Sequence, residues 1–189
     1  MKTFEELGVS AEIRQAIEEM GYENPMPVQE EVIPYLLGNR NDVVALAQTG
    51  RELCLQIAGD LTDYSKYITD LKILPVYGGS SIESQIRSLK QGVHIIVATP
   101  GRLIDLMERK VARLETIRDV VMDEADEMLD MGFVEDIEKI LGATNSDKRM
   151  LMFSATMPPE ILKIAERFMR SYETVRAESA QLNTEESGF

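Results

Sequence analysis

Asp123-Glu124-Ala125-Asp126 sets three carboxylates in one tetrapeptide, directly after the short apolar run Asp119-Val120-Val121-Met122. An α/β sheet presents its chemistry at the carboxyl ends of its strands. Two adjacent carboxylates at such an end suit a Mg²⁺–nucleotide site. One can hold the metal, often through its waters, and the other can orient a water for attack on a phosphoryl group. The same residues also suit an acidic helix start, where Asp and Glu complement the macrodipole. On its own the cluster does not separate the two readings.

Three more apolar runs end on unusual residues: Ala47-Gln48-Thr49-Gly50, Thr99-Pro100-Gly101-Arg102 and Ser154-Ala155-Thr156. Any one of them is explained by a turn or a cap; Thr99-Pro100-Gly101 reads as a strand-to-helix loop and Ser154 as an N-cap. A turn, hydroxyls and carboxylates gathered on one sheet edge are what a nucleotide-phosphate site requires. All four together favour that site.

The elements that must position them alternate along the chain. Apolar spacing predicts helices over residues 9–20, 28–37 (closed by Gly38), 52–67, 82–89, 102–109, 133–141 and 159–169. Short β-rich runs predict strands over 42–47, 71–77, 93–98, 119–122 and 149–153, with a last short strand over 173–176. Near-continuous apolar strands separated by helices indicate a parallel sheet covered on both faces. His94 falls within a predicted strand and reads as an ordinary sheet residue without a partner.

Composition bounds the remainder. A chain of 189 residues with 44% hydrophobic content is long enough for one large domain with a proper core. No apolar run reaches the length of a membrane span, and the start lacks the pattern of a signal peptide. The single cysteine, Cys54, permits no internal disulfide and, between Leu53 and Leu55, reads as a buried structural thiol. These features describe a soluble, cytoplasmic chain, expected as a monomer. The net charge of −13 argues against nucleic-acid binding by bulk electrostatics. Any polyanion contact must come from backbone N–H groups and a few arginines, or from a second, more basic domain.

The ordered motifs resemble the DEAD-box ATP-dependent RNA helicase family, specifically its first RecA-like domain, over essentially the whole chain. Gly21-Tyr22-Glu23-Asn24-Pro25-Met26-Pro27-Val28-Gln29 is similar to the adenine-reading Q motif, with Phe4 as its upstream aromatic. Arg51-Glu52-Leu53 with Gln56 resembles the second half of motif Ia, Gly78-Gly79 the double glycine, and Thr99-Pro100-Gly101-Arg102 motif Ib. Asp123 to Asp126 resembles motif II and Ser154-Ala155-Thr156 motif III.

The resemblance implies an α/β fold of RecA-like, P-loop NTPase type: a three-layer sandwich with helices on both faces of a parallel sheet. The domain would occupy residues 1–177, with the Q motif at 4–29 and a linker or tail at 178–189. ATP and Mg²⁺ are the implied cofactors. Phe4, Tyr22, Pro27, Gln29, Ala47, Gln48, Thr49 and Gly50 would bind the nucleotide, and Asp123 and Glu124 would hold metal and water. Asp126, Ser154, Ala155 and Thr156 would couple that site to RNA. Arg51, Gly78, Gly79, Thr99, Pro100, Gly101 and Arg102 would track one strand's sugar-phosphate backbone, with little sequence specificity.

The chain departs from the family in two places. The phosphate loop should continue from Ala-Gln-Thr-Gly through one residue to Gly-Lys-Thr, yet Thr49-Gly50 runs straight into Arg51-Glu52-Leu53. The Lys that reaches the phosphates and the Thr that binds Mg²⁺ are missing, with about thirty residues of helix and strand. Three readings account for the join: a break between two separate segments, a deletion, or a degenerate domain that binds without catalysing. The break is favoured, because removing an interior strand and its crossover helix would leave a sheet edge unpaired. It predicts Cα atoms of Gly50 and Arg51 separated by well over the roughly 3.8 Å of a peptide-bonded pair. Secondly, nothing after Thr156 resembles the second RecA-like domain, whose arginines complete the ATP site.

The expected function is therefore the ATP-binding lobe of an RNA helicase, at best a weak ATPase by itself. The alternatives are a non-catalytic RecA-like module that binds RNA or protein, and an unrelated flavodoxin-like domain.

Overall fold

The structure, a computed structural model, describes residues 2–37, 43–46 and 50–176. Five strands form one sheet, β1 (Val43–Leu46), β2 (Ile73–Val76), β3 (Ile95–Ala98), β4 (Asp119–Met122) and β5 (Arg149–Met152). They lie in the order β2-β3-β1-β4-β5 and every neighbouring pair is parallel. The helices are α1 (Ala11–Glu19), α2 (Pro27–Leu36), α3 (Arg51–Tyr64), α4 (Ile82–Lys90), α5 (Pro100–Glu108), α6 (Ala125–Asp130), α7 (Val134–Ala143) and α8 (Pro159–Phe168). Parallel neighbours need crossovers, and α4, α5 and α7 supply them where the apolar spacing changes from two residues to between three and four.

Side-chain alternation along β3 explains the layers. Ile96 and Ala98 join the large core with Leu46, Val120, Met122, Leu103, Ile137, Ile140 and Ile164. Val97, between them, points the other way onto Cys54 and Ala58 of α3, with Ile95 packed beside it. One face of the sheet is thus closed by α4, α5, α7 and α8, and α3 closes the other over β2 and β3. Cys54 is fully buried and donates its thiol to the Val97 carbonyl at 3.0 Å, and burial pushes its pKa up. It is the structural thiol expected.

Several expectations need correction. At the join, helix α3 starts directly after Gly50. Gly50 is the N-cap of α3, and the Cys54 N–H donates to the Gly50 carbonyl at 3.4 Å. Among the described residues the sheet has five strands, and its outer strand β2 carries Pro75, which only an edge accommodates readily. Residues 173–176 form no strand, and α5 starts at Pro100, so Thr99-Pro100-Gly101 is a cap and first turn rather than a loop. His94 precedes β3, is exposed, and its Nδ1 accepts the Lys72 N–H at 3.0 Å. Gly38, Asp42 and the tail from residue 177 lie outside the described residues.

Candidate functional site

Register brings the strand ends to one level. Leu46 is paired with both Ala98 and Met122, Met122 with Met152, and Val76 with Ala98. The segments that leave these residues therefore emerge on one edge, as the alternation of strand and turn predicts. Ala47, Gln48 and Thr49 lie outside the described residues; Gly50 is exposed, with φ 122° and ψ 137°, a region open to glycine.

At the end of β4 the Asp123 N–H donates to the Leu46 carbonyl at 3.1 Å, and Asp123 Oδ1 accepts the Glu124 N–H at 3.0 Å. Glu124 is exposed and left-handed, with φ 51° and ψ 49°. A non-glycine residue there is strained, and it stands exposed at the start of α6. Asp126 behaves differently. It is 7% exposed, and its Oδ2 accepts the Thr156 N–H at 2.8 Å and the Thr156 hydroxyl at 2.7 Å. Its own N–H donates to Ser154 Oγ at 3.2 Å, and that hydroxyl donates to the Thr156 carbonyl at 2.6 Å. The Thr156 hydroxyl, foremost among these groups, draws the Asp126 pKa down to about 2. Ala155 is exposed between them. Two motifs separated in sequence are thus one hydrogen-bonded unit.

A second group of residues lies across β2, β3 and the start of α3. The Arg51 guanidinium lies over the Tyr77 ring, 5.9 Å from its centroid. Gly78 and Gly79 follow Tyr77, both exposed, and Gly79 has φ 83°, which a side chain would resist. Thr99 caps α5, Pro100 is buried at its first position, and Gly101 is exposed with nothing within 4 Å of where a Cβ would stand. Arg102 Nη1 donates to the Ser80 carbonyl at 3.2 Å and to Gln85 Oε1 at 3.1 Å. This edge offers open glycine backbone, an N-terminal helical turn without acidic residues, and two arginines, which suits a phosphodiester chain.

The adenine-side residues do not all gather at Gly50. Tyr22 packs edge-to-face on Tyr64, with ring centroids 6.2 Å apart, at the opposite end of α3 from Gly50. A helix of that length rises about 20 Å. Tyr22 thus lies at the far end of α3 from Gly50. Gln29 Oε1 accepts the Met26 N–H at 2.9 Å, which caps α2, and Pro27 opens that helix. Phe4 is half-buried in the N-terminal turn.

The site fits the implied metal and nucleotide only in part. Asp123 and Glu124 fit Mg²⁺ and a water, with Asp123 Oδ2 as the remaining donor. Among the described residues no three His, Cys, Asp or Glu side chains cluster to hold a metal, so a cation here would rely on water and phosphate oxygens. The phosphate half does not fit. The first turn of α3 carries Arg51, Glu52 and Leu53, with no Lys and no hydroxyl, and Glu52 repels an anion there.

Some residues at the site carried weaker signals. Gln85 is a polar residue in the apolar stripe of Ile82, Ile86 and Leu89, and that interruption was legible. Away from the site, at the opposite ends of β4 and β5, Asp119 and Arg149 are paired in register and bonded at 2.6 Å, a contact hidden in the sequence because cross-strand neighbours are set only by pairing. A cleft of about 450 Å³ lined by Lys66, Lys72 and Gln91 opens at the other end of β2, away from the carboxylates.

Comparison with known proteins follows the same lines. The profile described as DEAD/DEAH box helicase matches residues 51–164. The chain is 42% identical over 212 residues to the DEAD-box ATP-dependent RNA helicase CshA of Geobacillus kaustophilus, covering 96% of this chain and 45% of that protein. It is 39% identical over 208 residues to the ATP-dependent RNA helicase DeaD of Escherichia coli K12, covering 94% and 33%. The crystal structure of a DEAD box protein from Methanococcus jannaschii superposes with a TM-score of 0.80 at 39% identity, covering 90% of this chain and 55% of that one. A hypothetical ATP-dependent RNA helicase from Sulfolobus tokodaii gives 0.77 at 37%, covering 86% and 55%. The chain spans less than half the length of the curated relatives it matches. In the first alignment, 96% of 189 residues supplies about 181 of 212 positions, so about thirty positions of the relative have no counterpart here. The profile match begins at Arg51, the residue after the join.

Proposed function

Because this chain belongs to the DEAD/DEAH box helicase family, we propose that it is the first RecA-like lobe of an ATP-dependent RNA helicase. The observation that carries the reading is the shared strand-end edge, where Asp123, Glu124 and the Asp126–Thr156 unit stand in line with Gly78-Gly79 and Thr99 to Arg102. Arg51, Gly79, Gly101 and Arg102 grip one RNA strand through its backbone. Asp126, Ser154 and Thr156 link that grip to the carboxylate pair. In the two-lobe protein, Asp123 would hold Mg²⁺ and Glu124 would orient a water, and the second lobe would supply the arginines that complete the site. Remodelling of RNA duplexes is the work such a two-lobe protein would do. A cytoplasmic monomer suits this work, and no helix among the described residues is long and apolar enough to cross a membrane.

The lost half of the phosphate loop limits this chain to weak ATPase activity at most. The test is direct: single-stranded RNA should bind this chain, and a version carrying the relative's thirty residues between Gly50 and Arg51 should gain RNA-stimulated ATPase once joined to a second lobe. A restored two-lobe protein that neither binds RNA nor hydrolyses ATP would discard the reading.

A further inference from the structure

One buried amide ties together the turns that face the proposed strand, and it belongs to none of the motifs. Gln85 of α4 is 3% exposed. Its Nε2 donates to the Tyr77 carbonyl at 3.2 Å and to Ser80 Oγ at 2.8 Å, and its Oε1 accepts from Arg102 Nη1 at 3.1 Å. Arg102 closes the circuit on the Ser80 carbonyl at 3.2 Å. Tyr77 and Ser80 bracket Gly78-Gly79, a pair with no side chains of its own to fix it. The Tyr77 ring also lies beneath the Arg51 guanidinium.

We infer that Gln85 is a positioning residue: it holds the Gly78-Gly79 turn and the Arg102 guanidinium in the arrangement that meets the backbone of single-stranded RNA. The inference rests on the RNA-binding reading above. Gln85 is buried and touches no phosphate. Its chemistry is nonetheless specific, since the clamp needs donors toward the turn and an acceptor toward Arg102 on one side chain. Glu lacks the donors, Leu has neither function, and Asn is one methylene shorter. A guanidinium released from one of its two anchors must be ordered again on binding, and that ordering weakens the complex.

The test uses this chain and a uridine 15-mer over a series of salt concentrations, with Gln85→Leu, Arg102→Ala and the double variant. Neutralising contacts set the slope of log affinity against log salt, at about 0.7 per phosphate on a single strand. Gln85→Leu exchanges one uncharged side chain for another, yet it should weaken binding about tenfold, the scale of one hydrogen bond to a charged group. It should also flatten the salt slope by the same roughly 0.7 as Arg102→Ala. In the Arg102→Ala background it should cost nothing further. A purely structural role would lower the bound fraction and leave the slope alone. Gln85→Met, with matching length and volume, carries the same comparison if the leucine variant does not fold. Unchanged affinity, an unchanged slope, or additive losses would overturn the inference while wild-type binding keeps the RNA reading. Wild-type protein that does not bind the 15-mer at all would overturn both.

Discussion

Asp126 and Thr156, thirty residues apart, are joined twice: one carboxylate oxygen of Asp126 accepts both the backbone N–H and the hydroxyl of Thr156, at 2.8 and 2.7 Å. The pair fastens the start of α6 to the segment leaving β5. Any force on one motif is therefore felt by the other.

Removing the hydroxyl alone should expose the strength of that fastening. Thr156→Val keeps the shape and the N–H contact, and should lower stability by about 1–2 kcal/mol in urea unfolding, since the acceptor is ionised. Thr156→Ser should stay near wild type. Equal stability of the Val and Ser variants would show that the hydroxyl contributes nothing.

The same bond makes a pH prediction. The Thr156 hydroxyl foremost holds the Asp126 pKa at about 2, below its ordinary 3.8. A folded-state value below the unfolded one adds stability that is present above the unfolded value and lost as pH falls toward the folded one. Relative to Asp126→Asn, wild type should therefore keep a constant advantage above about pH 5 and lose it between about pH 4 and 2. Urea midpoints across that range measure it, and curves that run parallel throughout would contradict it.

Glu124 is the strained residue of the acidic cluster. Glu124→Gly relieves the left-handed backbone and should stabilise the chain by up to about 1 kcal/mol, whereas Glu124→Ala should not. Stabilisation together with lost function is expected of strain kept at a working site. A glycine variant less stable than the alanine variant would show that the conformation is not costly here.

Arg149 faces the buried Asp119 directly across β4 and β5, 2.6 Å away. Arg149→Ala strands a carboxylate in the sheet and should cost about 3 kcal/mol. Replacing both with Asp119→Leu and Arg149→Met should recover most of that. Thermal unfolding of the three variants tests the pair, and a harmless single variant would deny that Asp119 depends on it.

Nucleotide binding gives the remaining test. With no Lys and no hydroxyl following Gly50, the triphosphate finds no specific partner on α3, so calorimetry should find ATP no tighter than adenosine. A marked preference for ATP would mean that other groups cradle the phosphates.

The sequence by itself determined the layers, the parallel sheet and the edge on which the motifs meet, because local periodicity and turn residues carry that information over short windows. The apolar run Asp119 to Met122 is β4 to the residue, and Thr99 and Asp123 follow the strand ends directly for the same reason. The motif order carried the family. Cys54 was legible too, since a free thiol behaves as a small apolar side chain and packs readily into a core.

Tertiary structure decided what depends on pairing and on the third dimension. The strand order and the Asp119–Arg149 contact follow from register, which no local window encodes. The backbone strain at Glu124 arises because α6 starts at once after β4, a helix too short for periodicity to announce. Tyr22 lies far from Gly50 because one continuous α3 separates them, a consequence of the join that motif matching passed over. Gln85 shows the boundary most plainly: its break in an apolar stripe was visible in the sequence, but its partners come from β2 and α5 and meet it only when the sheet is assembled.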